Sequence, residues 1–471
     1  MPAEGRVQRI INLEKGNTIY THRGRSTVIT KLEGIAKVAK ERPSEKFTSL
    51  AHLLNEEMLV SCHQELKRGK AVGVDKVTKE EYEANLHENI KDLVSRLKKS
   101  TYRPQPVRRV YIPKPGTDKK RPLGIPTYED KIVQLALSKI LSAIYEEEFL
   151  NSSFGFRPNR GCHEALKVVN AIIHKRPIEY VVDADIQAFF DHVDHKWMTA
   201  FISHRIKDPK IIQLISRFLK AGVMEAGIVQ DTPEGTPQGG PISPVLANIY
   251  LHYVLDLWFD KKIRRYCKGS TYMVRYADDT LFCFQNQHEA EKFYDEFKER
   301  LSKFNLGIAE EKSKIIAFGR NVFSKDLDSS DQKSKPDVFD FLGFTHYCST
   351  SLNGKFRVKR KTSRKKFRTS LLKCKEWISE NRHEAKNILM KKLNQKLIGH
   401  YRYYGITDNG PNLIKFREEV KRTLFKYMNK RSQRTSYDWK GFQQFLKKYP
   451  IVKPKTYVNV FELNENACYF M

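Results

Sequence analysis

Two adjacent carboxylates, Asp278 and Asp279, sit between two apolar runs in Met273-Val274-Arg275-Tyr276-Ala277-Asp278-Asp279-Thr280-Leu281-Phe282. The runs read as strands and the acids as the tight turn joining them. Aspartate is common in turns because its side chain bonds nearby backbone, so an isolated Asp-Asp pair is more often a solvated hairpin tip than a metal site. Here apolar strands would hold the pair inside a domain, where two like charges are unfavourable unless a cation neutralises them. A second acidic run, Tyr180-Val181-Val182-Asp183-Ala184-Asp185, ends another strand pattern. Phosphoryl transfer to a nucleotide uses two divalent cations about 3.5–4 Å apart, and carboxylates from two strands can span such a pair. Asp183 and Asp185 alternate by two and share a face, so spacing alone leaves the choice between them open. The nearby Asp191-His192-Val193-Asp194-His195 lacks further ligands at zinc spacing and reads as an acid-capped helix start.

Between the acidic runs lies Thr232-Pro233-Glu234-Gly235-Thr236-Pro237-Gln238-Gly239-Gly240-Pro241, followed by Leu246, Ile249, Tyr250, Tyr253, Val254, Leu257 and Trp258 at helical spacing. This predicts a rigid loop on a buried helix. Its glycines permit close backbone approach to a polymer, and Gln238 can donate and accept at a base or sugar edge; taken alone, the loop reads as an ordinary glycine-rich turn. Upstream, Lys114, Lys119, Lys120 and Arg121 surround a Pro-Gly turn, a basic hairpin suited to triphosphate oxygens, although surface hairpins are often basic in any case.

These residues belong to a chain with 85 Lys and Arg against 55 Asp and Glu, a formal charge of +30. Such a surface attracts polyanions. The most apolar stretch, Val245 to Phe259, is short and interrupted by Asn248, His252 and Asp256, which excludes a spanning segment and points to nucleic acid rather than membrane. The N-terminus has no apolar core behind a basic start, so an intracellular protein is expected. Seven scattered cysteines suggest neither a disulfide framework nor a zinc knuckle, only reduced, mostly buried thiols.

Residues 1–45 are polar and basic and read as an arm, with ordered helix expected from near Thr48. Short apolar groups alternate with turn signals from Ala71 to Pro126, as in a small strand-containing lobe, and a mixed α+β region follows to about Gly343. Then Lys355 to Arg368 carries nine basic residues in fourteen and no acid. A run this dense carries self-repulsion that a polyanion would relieve, so it reads as a nucleic-acid track leading into helices.

In this order the motifs resemble the sequence blocks of reverse transcriptases, specifically those of group II intron reverse transcriptase/maturases. The blocks are RPLGIP at 121–126, SFGFRPNRGCHEAL at 153–166, DADIQAFFDHVDH at 183–195, GTPQGGPISPVLANIYL at 235–251, YADD at 276–279 and FLGF at 341–344. The resemblance covers about residues 70 to 435. It implies an α+β right-hand polymerase: fingers over 46–175, a catalytic palm with an antiparallel sheet over 176–345, and a helical thumb or maturase region over 346–430. A basic extension, 1–45, would precede these and a basic DNA-binding segment, 431–471, would follow.

By that resemblance Asp185, Asp278 and Asp279 are the catalytic aspartates, holding two Mg²⁺, or Mn²⁺ as a substitute, with Ile186 in the metal site and Asp183 a structural neighbour. Phe190 matches the aromatic that screens the sugar 2′ position. Lys114 and Arg121 match residues near the incoming triphosphate, Gln238 the residue beside the template base pair, and Lys312 a lysine near the leaving pyrophosphate, although Lys314 is equally close in pattern. Gly235, Gly239, Arg157, Lys359, Arg360, Lys365, Lys366 and Arg402 are expected to line the nucleic acid. The implied partners are an RNA template, a group II intron RNA whose splicing the protein assists, a DNA primer or target, and deoxynucleotides. The implied setting is the bacterial cytoplasm or nucleoid. The sequence has no paired Cys-x-x-Cys after the maturase block, so second-strand cleavage is not expected. Two other readings share these motifs: a domesticated reverse transcriptase in repair or defence, and an RNA-binding splicing factor in which polymerisation is incidental.

Overall fold

The computed structural model describes residues 19–113, 120–225, 228–230, 235, 239–328, 337–430 and 437–463. Within them the chain is a mixed α+β protein. Its strands are β1 (Val107–Pro113), β2 (Lys120–Ile125), β3 (Tyr180–Asp185), β4 (Val223–Glu225), β5 (Ile228–Gln230), β6 (Thr271–Tyr276), β7 (Asp279–Phe284), β8 (Lys314–Ala317), β9 (Val338–Phe341), β10 (Phe344–Thr350) and β11 (Phe356–Thr362).

The strands form three sheets, ordered β2-β1-β4-β5, β6-β7-β3-β8 and β11-β10-β9. The second, antiparallel throughout, is the frame of the acidic residues. Its strands alternate between two hydrophobic cores. Val182, Met273, Phe282 and Phe284 face one core with the helices Ser243–Leu251 and Gln287–Ser302. Val181, Val274, Leu281 and Cys283 face the other with the helix Cys162–Lys175. Both faces are therefore covered, which explains why β6 and β7 read as nearly continuous apolar runs. Phe282, Phe284, Phe293 and Phe297 are fully buried, each stabilising the core by roughly 1.5–3 kcal/mol.

Helix begins earlier than the sequence suggested. Ile19–Glu41 is helical and packs against the helices Tyr128–Tyr145 and Glu56–Glu65. Val28 and Ala39 are buried in it, with Leu32 and Ile35 packed partly on the same core. These four positions form a stripe at helical spacing that the surrounding basic residues disguised. Near Thr48, where helix was expected, the chain makes only a short 3₁₀ turn at Ala51–Leu53 before the next helix. The helix predicted to run evenly through Trp258 widens into π turns at His252–Asp256 and Phe259–Ile263.

The expected boundary at 345 falls inside β10, which pairs with β9 before it and β11 after it. Four helices follow: Arg364–Asn381, Lys386–Tyr404, Gly410–Met428 and Trp439–Lys448. The described cysteines are all free, and no described helix is long and apolar enough to cross a membrane.

Candidate active site

β6 and β7 form a hairpin in which Tyr276 pairs with Asp279, leaving Ala277 and Asp278 as the turn. Ala277 has φ 58°, a left-handed conformation of the kind two-residue hairpins require. Its strained backbone is hemmed in by Gly155, where an added Cβ would lie 2.3 Å from the Ala277 nitrogen. The sequence block around 153–161 is thereby brought against the YADD turn.

On the other side of β7, Asp185 is the direct cross-strand partner of Asp279, and Asp183 is the partner of Leu281. Asp183, Asp185 and Asp279 thus share one face of the sheet, and Asp278 stands in the turn beside them. Removal from water, reinforced by Asp279 and Asp185, pushes the Asp183 carboxyl up to about 7. Removal from water also leads for Asp279, with Asp278 and Asp185 next, again raising it to about 7. The side chain of Asp279 still meets solvent at the mouth of the site, so part of that effect is screened. Asp278 is likewise raised, chiefly by desolvation, while Arg121 pulls it down.

Several basic groups reach this cluster. Lys312 Nζ lies 2.5 Å from Asp185 Oδ2. Arg121, exposed on β2, acts electrostatically on both Asp278 and Asp279, and Lys366, at the start of the helix Arg364–Asn381, acts on Asp279. Lys314 instead pairs in register with Asp183, so the two lysines that the sequence could not separate address different acids. Among the described residues no group of three or more His, Cys, Asp or Glu side chains is gathered closely enough to hold a metal ion. The donor set is nevertheless of the kind a hard divalent cation takes: carboxylate oxygens only, with Asp278 and Asp279 raised by surroundings that a cation would relieve. The Lys312 ammonium supplies positive charge at Asp185. Ile186 is buried, with its side chain in the core, and has only its backbone carbonyl to offer a metal.

The glycine loop reaches the same region. Gly235, at φ 93°, would place a Cβ 3.1 Å from the Phe190 carbonyl, and Gly239, at φ 120°, would place one 2.7 Å from the carbonyl of Gly124 in β2. His195 Nε2 bonds the Gly235 carbonyl at 2.7 Å, and Asp194 caps the helix His195–Ile202 as the sequence indicated. Phe190 is half-buried, edge-on to Phe189. Lys114 and Gln238 lie outside the described residues.

Two expected nucleic-acid residues have structural work instead. Arg157 is buried and donates to Glu146 Oε1 at 2.9 Å and to the carbonyls of Leu150 and Ser153 at 2.6 and 2.8 Å, stapling that loop. Arg360 is fully buried on β11 and donates to Asn170 Oδ1 at 2.6 Å. The alternation of a strand puts it on the inward face with Val358, a pattern concealed by reading the segment as a charge run. Lys359, Lys365, Lys366 and Arg402 do reach the surface, Lys359 only partly. Arg275, inside the strand run, is fully buried beneath the acidic turn; a charged side chain within an apolar strand is the sequence signal for it.

A family model for reverse transcriptase (RNA-dependent DNA polymerase) matches residues 112–346. The group II intron-encoded protein LtrA of Lactococcus lactis is 44% identical over 234 residues, 48% of this chain and 38% of LtrA. A 91 kDa protein in the cob intron of Schizosaccharomyces pombe is 33% identical over 252 residues, 53% of this chain and 31% of that protein. The mitochondrial nuclear intron maturase 2 of Arabidopsis thaliana is 24% identical over 183 residues, 30% of this chain and 24% of the maturase. The chain therefore spans well under two thirds of each of these relatives.

Proposed function

We propose, on the premise that the chain belongs to the group II intron-encoded reverse transcriptases, that it copies RNA into DNA by two-metal nucleotidyl transfer and assists splicing of its intron RNA. The observation that carries this reading is the convergence of Asp185, Asp278 and Asp279 at one end of an antiparallel sheet. Mg²⁺ held by these carboxylates and the Ile186 carbonyl would lower the pKa of the primer 3′ hydroxyl and steady the leaving phosphates.

The chain's own residues orient the reaction. Arg121 and Lys312, with Lys114, neutralise the triphosphate of a deoxynucleotide, and Phe190 fills the space a ribose 2′ hydroxyl would need. Gly235 and Gly239 let the loop carrying Gln238 approach the template base pair closely. Lys359, Lys365, Lys366 and Arg402 follow the phosphate backbone of the RNA template and DNA primer, positioning without reading sequence. In this reading the sheet containing β1 and β2 is part of the fingers, the β6-β7-β3-β8 sheet is the palm, and the helices after β11 are the thumb and maturase surface. Intron RNA is the further partner, and the work is intracellular, at the nucleoid of a bacterium.

Extension of a DNA primer on an RNA template, with deoxynucleotides and Mg²⁺, tests the reading. Product whose length and sequence follow the template supports it. Tight RNA binding without any extension would instead favour a splicing factor.

A further inference from the structure

Beneath the acidic turn lies a buried polar bracket made of residues outside the proposed set of metal ligands. Arg275 and Asp256 are both fully buried. Arg275 donates from Nε to Asp256 Oδ1 at 2.7 Å and from Nη2 to Asp256 Oδ2 at 2.5 Å. Its third nitrogen, Nη1, donates to the Ala277 carbonyl at 2.9 Å and to Asn248 Oδ1 at 3.1 Å. Asn248, 2% exposed, donates onward from Nδ2 to the Gly155 carbonyl at 2.8 Å. The backbone closes the ring: Phe154 N–H donates to the Arg275 carbonyl and Arg275 N–H to the Ser152 carbonyl, both at 2.8 Å.

The Ala277 carbonyl belongs to the same peptide unit as the Asp278 amide, so Arg275 grips the backbone on which Asp278 is mounted. Gly155 packs against the same backbone, where an added Cβ would lie 2.3 Å from the Ala277 nitrogen. Asp256 ends a π turn, an irregularity of the kind that re-aims side chains at functional sites. A buried ion pair is a weak source of stability, because apolar residues of like volume often serve a core as well or better. What a bidentate guanidinium fork supplies is direction.

We propose that Arg275, Asp256 and Asn248 are positioning residues that set the Asp278–Asp279 turn relative to Asp185, and so fix the spacing at which its carboxylates bind divalent cations. This deepens the polymerase reading and rests on it. Outer partners of metal-binding carboxylates typically change affinity or activity by about 10–100-fold when removed.

Asn248→Ala severs the links to Arg275 and Gly155 while leaving the Arg275 and Asp256 pair intact. The full chain, Asn248→Ala and Asp278→Ala would be compared by thermal unfolding, Mn²⁺ binding followed by electron paramagnetic resonance, primer–template affinity and extension kinetics. For a folded Asn248→Ala protein, Mn²⁺ affinity at the sites that Asp278→Ala abolishes should fall about tenfold or more. The kcat for extension should fall with it, while KM for deoxynucleotide and primer–template affinity stay unchanged. Unchanged Mn²⁺ affinity in the folded variant would overturn the proposal. Should Asn248→Ala fail to fold, Asn248→Asp keeps the volume and the acceptor for Arg275 but loses the donor to Gly155, and the same two outcomes apply. If the natural protein extends no primer while Asn248→Ala still weakens Mn²⁺ binding, the bracket stands and the polymerase reading falls.

Discussion

Asp185 and Asp279 face each other across β3 and β7 as direct partners in an antiparallel pair. Like charges in that relation destabilise a sheet, and Asp183 adds a third carboxylate to the same face. The arrangement works against folding in the absence of a cation, as expected of a site built for charge chemistry.

That relationship sets a pH dependence. Asp183 and Asp279 are pushed from an ordinary 3.8 up to about 7. Between these values the folded protein holds protons on these two acids that the unfolded chain has released, so their contribution to stability falls as pH rises from about 4 to 7. Thermal unfolding in chelator across that range should show a declining contribution from these acids. Asp279→Asn should flatten it, and added Mg²⁺ should restore stability to the natural protein near pH 7. An identical pH slope in Asp279→Asn would contradict the coupling.

Lys312 and Lys314 should separate kinetically. Lys312 touches Asp185, whereas Lys314 lies opposite Asp183. Lys312→Ala should lower kcat/KM for deoxynucleotides by about 100-fold, the scale of losing one charge-stabilising donor, and Lys314→Ala by much less. Steady-state extension at varied nucleotide concentration checks this; equal losses would remove the distinction.

The basic segment after β10 should divide by burial. Arg360→Ala, which strands Asn170 and loosens the surroundings of Asp408, should lower Tm by about 5 °C or more. Lys366→Ala should leave Tm unchanged, weaken RNA binding and reduce the salt slope by about 1. Calorimetry and a salt titration of RNA affinity read the two effects separately.

Phe190 stands beside the Gly235 loop. Phe190→Val should improve ribonucleotide incorporation relative to deoxynucleotide by about tenfold or more, by opening space for the 2′ hydroxyl. Competition between the two nucleotide types during extension gives the ratio, and an unchanged ratio would assign sugar selection elsewhere.

Much of this site was legible in the sequence because its chemistry is local. The hairpin bearing Asp278 and Asp279, the strand ending at Asp185 and the Asp194 cap each follow from a few adjacent residues. The alternation that left Asp183 and Asp185 equivalent is equally real in the structure: both share a face, and it is the register opposite Asp279 and the Lys312 contact that single out Asp185. What stayed hidden depends on distant partners. Arg157 and Arg360 look like surface cations until Glu146 and Asn170 are brought to them. Asn248 and Asp256 share one helical run, but the strand bearing Arg275 that meets them is distant in sequence, and no local pattern announces that meeting. The helix Ile19–Glu41 was masked by composition, since a narrow apolar stripe is enough to anchor an otherwise basic helix.

The central claim is that Asp185, Asp278 and Asp279 form one metal-dependent nucleotidyl-transfer site. Primer extension on an RNA template with Mg²⁺, comparing the natural protein with Asp278→Ala at matched RNA affinity, tests it most directly. The account predicts templated DNA synthesis by the natural protein and none by Asp278→Ala, with both proteins folded and both binding RNA. Undiminished synthesis by Asp278→Ala would contradict it.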